Sequence, residues 1–454
     1  MTISSESANQ ESSLREALRL SWPATLSLIL HSFYRVNDQY WIQDLGRDAQ
    51  AALGMCSFVL ILNFAFIQLL NSGILARIAF FTGAKNRESM RSVFESGLKS
   101  GMILMVVVGV AGFLAAPFLV RMLGASGNVA VLAESYLSKI YILLPLVVLK
   151  PVTDSVFIGL GNTVAPMFLS AFSVALNFVL NPMLIYGVEE LGIPAMGVAG
   201  AAWATGISRG LGGLIALGIL GRVWNLRIRM DTPIHWKEVR KMTGIGIPVA
   251  LSTAAYALGF IAVLKTSVEP LGPVVQAGLG IGFNGIESIA YCGLFGPAMA
   301  VSGMVGRRIG GGDPQSARVS VQVCLGLSIG ISLFFSFLFL TIPELLASIY
   351  SHVPAVNREV VLYLSIVAWS QPVTAAESVL AKALGGAGRT AGVSVISIGG
   401  YFLRIPLAFG LAHGLGLGAL GVWWALNLSN YLKLAVIVPL YRREMKRLDT
   451  VSVT

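Results

Sequence analysis

The stretch 102–120, MILMVVVGVAGFLAAPFLV, decides the fold. It holds no charged residue and no side chain that could hydrogen-bond a stray backbone group. A helix rises about 1.5 Å per residue, so roughly 20 such residues cross about 30 Å of hydrocarbon. Apolar and polar positions do not alternate in it, whereas a barrel strand alternates over about ten residues. It reads as a membrane-spanning helix.

Working outward, runs of the same kind recur along all 454 residues. The expected spans are 17–43, 53–80, 97–120, 133–158, 164–187, 196–220, 243–267, 275–305, 319–341, 358–383, 391–413 and 417–440. Composition agrees: 55% of residues are hydrophobic and only 12% are charged. A soluble domain carries about a quarter charged residues. A soluble enzyme, a secreted disulfide scaffold and a disordered chain are excluded on that ground. Cys56, Cys292 and Cys324 sit in apolar runs with no pairing pattern, so no disulfide framework or CxxC metal site is expected. The start, MTISSESANQESS, lacks the basic and apolar regions of a signal peptide, so the first span is expected to stay in the protein.

The net charge of +10 is explained by where the basic residues fall. Arg15, Arg19, Lys85, Arg87, Arg91, Lys99, the 222–241 cluster, Arg307, Arg308, Arg318, Lys382, Arg389 and Arg442 to Arg447 all collect on one side of the twelve spans. Asp44, Asp48, Glu189, Glu190 and Glu344 dominate the other, with Arg47, Arg121 and Arg358. The positive-inside rule makes both termini cytoplasmic, as an even span count also requires. The excess charge is then orientation and contact with anionic lipids, and no nucleic-acid partner is expected.

The chain also repeats itself. Tyr136-Leu137-Ser138 recurs as Tyr363-Leu364-Ser365, Pro145 as Pro372 and Gly161-x-Thr163 as Gly388-x-Thr390, each at an offset of 227. Leu45-Gly46 recurs as Leu271-Gly272 at 226, and Trp203-Ala204 as Trp424-Ala425 at 221. Each repeat holds an even number of spans, so both enter the membrane from the same side and are related by an axis along its normal. The expected fold class is an all-α integral membrane protein, twelve helices in two pseudo-symmetric six-helix lobes. The divisions are a cytoplasmic tail 1–16, an N-lobe 17–220, a cytoplasmic linker 221–241, a C-lobe 242–441 and a cytoplasmic tail 442–454. Such folds usually hold substrate between the lobes near the midplane and alternate by rocking.

Several segments are similar to the multidrug and toxic compound extrusion (MATE) family of the MOP flippase superfamily. They are LSWPATLSLILHSFYRVNDQYWIQDLGRDAQAALG, ILARIAFFTGAKNRES, GLGNTVAP, LNFVLNPMLIYG with GVAGAAWAT, IESIAYCGLFGPAMAVSGMVGRRIGGGD and LRIPLAFGLA. The resemblance covers nearly the whole chain. It implies a two-lobe bundle that exports organic cations or other amphipathic drugs by proton or sodium antiport. It also implies a bacterial inner-membrane protein, expected here to be a monomer in contact with membrane lipids.

Charges inside the bilayer are costly and mark ion or substrate paths. Asp38 in the outer half of the first span is the leading coupling candidate, and the resemblance places the family's cation-coupling Asp there. Arg35, three residues back on the same face, is a potential ion-pair partner. Asn177 and Asn181 lie one turn apart on the fifth span, and Thr205 on the sixth matches the family's hydroxyl partner. With Asp38 they resemble the N-lobe proton or sodium site, with sodium held at Asp38, Asn177 and Asn181. Glu287 and Arg404 lie at similar depth in spans eight and eleven and are expected either to pair or to leave Glu287 titrating. Asp154, one turn from Lys150, and Glu377 read as a structural or gating feature nearer the cytoplasm. His31 and His413 have no second ligand at metal spacing, so no bound metal or cofactor is expected beyond the coupling ion. There is no GxxxxGK[ST] loop, HExxH or credible GxSxG elbow, so neither ATP drive nor enzymatic activity is expected. Two rival transporters remain: a lipid-linked saccharide flippase, disfavoured because the cations inside spans are mainly Arg35 and Arg404, and a major-facilitator transporter, whose loop signature is not visible in ARIAFFTGAKNRES.

Overall fold

A computed structural model describes residues 2–229 and 231–451, apart from the side chains of residues 2–9, 35, 58 and 449–451. The described backbone forms twelve long helical rods. These are α1 (Thr2–Ile42), α2 (Arg47–Gly83), α3 (Arg87–Met122), α4 (Gly127–Gly159), α5 (Val164–Tyr186), α6 (Val198–Val223), α7 (Trp236–Leu271), α8 (Pro273–Gly310), α9 (Pro314–Thr341), α10 (354–386), α11 (Thr390–Gly414) and α12 (Gly418–Val451). A short helix, Pro343–Tyr350, joins α9 to α10. Among the described residues, nine of the rods are long and apolar enough to cross a membrane. The chain is an integral membrane protein. Backbone groups in hydrocarbon must be satisfied within the segment, which a helix does and an open strand cannot.

The rods overrun the apolar stretches. α3 starts at Arg87, capped by Asn86, whose side chain accepts from the Ser89 amide at 2.9 Å. α7 starts at Trp236, inside the stretch read as linker. Its first turns are held by Glu238, which pairs with Arg77 at 2.7 Å and with Lys241 at 3.0 Å. Hydropathy reports only the part that meets hydrocarbon and is blind to such polar extensions.

The chain divides into two compact units. One comprises Leu26–Thr82 and Asn86–Gly246. The other comprises the residues up to Thr25, Gly83–Lys85 and the chain from Ile247 onward. Both α1 and α7 therefore contribute to both units.

The repeat survives as backbone conformation. Gly46 (φ 95°) matches Gly272 (φ 99°), Gly161 (φ 83°) matches Gly388 (φ 74°), and Gly197 (φ 55°) matches Gly418 (φ 56°), at the offsets the sequence shows. Gly46 and Gly272 have ψ of −179° and 173°, a region essentially restricted to glycine. Both sit at the sharp turn that ends the first span of each half.

Within the first unit, α6 carries a stripe of small residues that lets α4 come close. A Cβ at Gly206 would lie 2.3 Å from Leu143, one at Gly210 2.2 Å from Leu146, and one at Gly213 2.5 Å from Leu149. Close backbone approach through small residues is the usual basis of helix association in membranes, where lipid offers no hydrophobic drive. Outward faces are apolar: Val107, Leu114 and Phe118 on α3 are exposed, as a lipid-facing surface requires.

Candidate functional site

Thr205 precedes the first glycine of the α6 stripe, so the close packing that seats α6 also fixes its hydroxyl. Asn177 and Asn181 lie one turn apart on α5, and both are fully buried. Asp38 on α1 is only 6% exposed. The structure brings these four side chains together.

Their hydrogen bonds run in one direction. The Trp41 indole Nε1–H donates to Asn37 Oδ1 at 2.9 Å. Asn37 Nδ2 donates to Asn177 Oδ1 at 2.9 Å, and Asn177 Nδ2 donates to Thr205 Oγ1 at 3.2 Å. Thr205 Oγ1 then donates to Asp38 Oδ2 at 3.2 Å, and Asn181 Nδ2 donates to Asp38 Oδ1 at 2.8 Å. Every donor is neutral and the chain ends on the carboxylate. Hydrogen bonds in series polarise one another, so each link strengthens the next. Asn37 was not singled out from the sequence. Its one signal there is an Asn in an apolar span, a turn before Trp41.

Among the described residues no cation comes within ion-pairing distance of Asp38. The expected Arg35 partner lies outside the described side chains. Asn181 Oδ1 is buried and has no hydrogen-bond partner. The cluster thus presents a carboxylate and an unpaired amide oxygen away from water. That set suits a hard cation such as sodium, or a proton carried as a carboxyl O–H that needs an acceptor. No cluster of three or more His, Cys, Asp or Glu that could hold a metal occurs among the described residues.

The second unit is wired differently. Glu287 closes a π-helical turn, Gly280–Glu287, in α8. Its carboxylate accepts from the Tyr363 hydroxyl and from Gln371 Nε2 at 2.9 Å. Arg404 does not pair with it. Instead Arg404 donates to Ser429 Oγ and Asn430 Oδ1, both at 2.6 Å, and its guanidinium lies 5.3 Å from the Tyr401 ring centre. Of the two outcomes expected for Glu287, the pair with Arg404 does not form: similar depth along two helices does not fix rotation about their axes.

Asp154 pairs with Lys150 at 2.6 Å, and Lys150 also donates to Ser170 Oγ at 3.1 Å. Glu377 pairs with Lys433 of α12 at 2.8 Å, a residue the sequence reading passed over. Each half therefore buries one ammonium–carboxylate pair, with an exchange between them. Lys150 corresponds to Glu377 at offset 227, and Lys433 corresponds to Gly212 at offset 221. In the first half the lysine stem leaves α4 and passes beside Gly212 of α6. In the second it leaves α12 and packs on Gly400 of α11. The cations inside spans are also more numerous than expected. Besides Lys150 and Lys433 there is Arg209 on α6, whose guanidinium lies 4.4 Å from the Tyr34 ring centre with Nε buried and unbonded.

With this geometry in hand, comparisons with known proteins are decisive. The MatE family pattern matches residues 23–183 and 248–409, once in each repeat and over most of the chain. The chain belongs to the MATE family. Relatives include a "Probable multidrug resistance protein NorM" of Thermotoga maritima, 25% identical over 90% of this chain and 88% of its own. In fold the chain is similar to a MATE protein solved in complex with MaL6, with a TM-score of 0.88 at 20% identity over 96% of this chain and 97% of that one. It is also similar to an outward-facing multidrug resistance MATE transporter of the MOP superfamily, with a TM-score of 0.87 at 21% identity, covering 96% of each chain. MATE proteins are membrane transporters, so the buried polar clusters of this chain lie in the framework of a carrier.

Proposed function

We propose that this MATE transporter exports organic cations or other amphipathic drugs in exchange for protons or sodium ions, with Asp38 as the coupling carboxylate. The observation that carries the reading is the Asp38 cluster: a buried carboxylate met by neutral donors alone, beside the unpaired Asn181 oxygen. A carboxylate away from water needs a positive partner, and an exchangeable ion supplies one in only part of the cycle. Ion binding shifts the balance between inward- and outward-open states by its differential affinity for them. Thr205 and Asn181 hold the carboxylate ready, and the chain from Trp41 stabilises its charged form. The relatives' names support multidrug cargo.

Gradient-driven efflux of a fluorescent organic cation from proteoliposomes tests this. The Asp38→Asn variant should bind the dye but lose stimulation by an imposed pH or sodium gradient. Gradient-stimulated efflux undiminished in Asp38→Asn removes Asp38 from the mechanism.

A lipid-linked saccharide flippase remains the second reading, favoured by one observation. Arg209 holds a guanidinium inside α6 with no carboxylate bonded to it among the described residues. Flipping of a fluorescent lipid-linked saccharide, measured in the same proteoliposomes, separates the two.

A further inference from the structure

We infer that the cytoplasmic end of α12 forms, with α9, a binding site for the phosphate headgroup of an anionic membrane phospholipid. The apolar run of α12 ends at Leu440, and Tyr441, Arg442, Arg443, Lys446 and Arg447 follow within two turns. A span that stops there places these residues at headgroup level, where aromatic and basic side chains anchor helices.

Two open surface grooves lie at this point. One, about 550 Å³, is lined by Pro439, Arg442, Arg443, Lys446 and Arg447. The other, about 410 Å³, lies between α12 and α9 and adds Arg318, Gln322 and Tyr441 to Arg442 and Lys446. Arg442 and Lys446 line both, because residues four apart share a helix face. Among the described residues no acidic side chain lines either one. The nearby Glu444 is taken up by Arg447 at 2.9 Å and by Arg389 at 3.8 Å. Among the described residues Arg442, Arg443 and Lys446 enter no ion pair, and all three are exposed. Arg318 is held in place, with Nη2 donating to the Met445 carbonyl at 3.3 Å.

The site thus combines cations left without counter-charge, a concave wall from two helices and apolar floor residues, Val321 and Leu325, beneath the charges. A phosphodiester satisfies the cations while its acyl chains continue down the apolar face. A free phosphate would satisfy only the first part, which is why the lipid is the occupant the geometry favours. Basic pockets at the cytoplasmic ends of membrane helices recognise anionic headgroups through such arrangements.

The test is native mass spectrometry of the full-length protein in mild detergent, titrated with phosphatidylglycerol or with phosphatidylcholine of the same chains. Wild type should retain phosphatidylglycerol preferentially, and R442Q/K446Q should weaken that retention about 30-fold, the value for two surface cations. The charge-matched R227Q/R229Q variant, in the other unit, should retain it as wild type does. Equal retention of the two lipids by wild type overturns the inference. Equal loss in R227Q/R229Q overturns it too, since net charge would then suffice. Displacement of the lipid by millimolar inorganic phosphate identifies a free-phosphate site and rejects the lipid. Melting curves that coincide for all three proteins establish that folding is not the variable.

Discussion

Replacing Lys433 with Met should destabilise the second unit far more than replacing Lys433 and Glu377 together. The two side chains are 5% and 10% exposed and make two hydrogen bonds, at 2.9 and 2.8 Å. The lysine stem lies against Gly400, where an added Cβ would come within 2.4 Å of its Cγ. Removing it strands a carboxylate away from water. Breaking such a pair costs about 3–5 kcal/mol, whereas exchanging both partners for apolar residues of similar volume is often neutral or stabilising. Methionine fills the lysine stem volume, so little cavity term is added. Lys433→Met and Glu377→Met should therefore each cost about 4 kcal/mol and K433M/E377M close to nothing, a coupling of about 8 kcal/mol. The measurement is thermal unfolding of the four proteins in one detergent at neutral pH, read as a double-mutant cycle. Losses that add, or a Lys433→Met protein as stable as wild type, would refute the reasoning. The Glu377–Lys433 pair would then be solvated rather than buried.

Three further outcomes are expected. Gly46→Ala and Gly272→Ala should each cost about 1–3 kcal/mol in thermal unfolding, because both backbones occupy a glycine-only region with open space around the Cβ position; a harmless substitution at either would show that its turn relaxes. Asp313, before α9, accepts from the Ser316 amide at 2.9 Å, and Asp313→Ala should cost about 1 kcal/mol. Partial burial raises the Asp313 pKa, but the Ser316 hydrogen bonds and the Arg308 charge outweigh it and hold the carboxyl below its usual value. The cap's contribution is therefore present above about pH 4 and is lost as pH falls through the lowered value, so the Ala variant should show a shallower acid destabilisation of unfolding temperature.

Much of the site was legible in the sequence because an ionisable group in an apolar run is rare for an energetic reason. Asp38, Asp154, Glu287, Glu377 and Arg404 all stood out that way. Asn177 and Asn181 added helical spacing, and Thr205 came only through the family resemblance. Arg209 and Lys433 carried the same signal, and Asn37 a weaker one as a neutral amide in an apolar span; they were passed over because the contacts that matter reach across to other helices. Their partners lie 140 residues from Asn37 and 56 from Lys433.

By itself the sequence determined the membrane class, the helical rods and the repeat, because these follow from hydropathy, backbone hydrogen bonding and residue order along one dimension. The tertiary structure alone decided who pairs with whom. Glu287 takes Tyr363 and Gln371 instead of Arg404, and the buried ammonium comes from α4 in one half but α12 in the other. Depth along a helix can be counted from its ends. Its rotation and its neighbours are set by how small residues let the helices close on one another, and that is a property of the packed bundle.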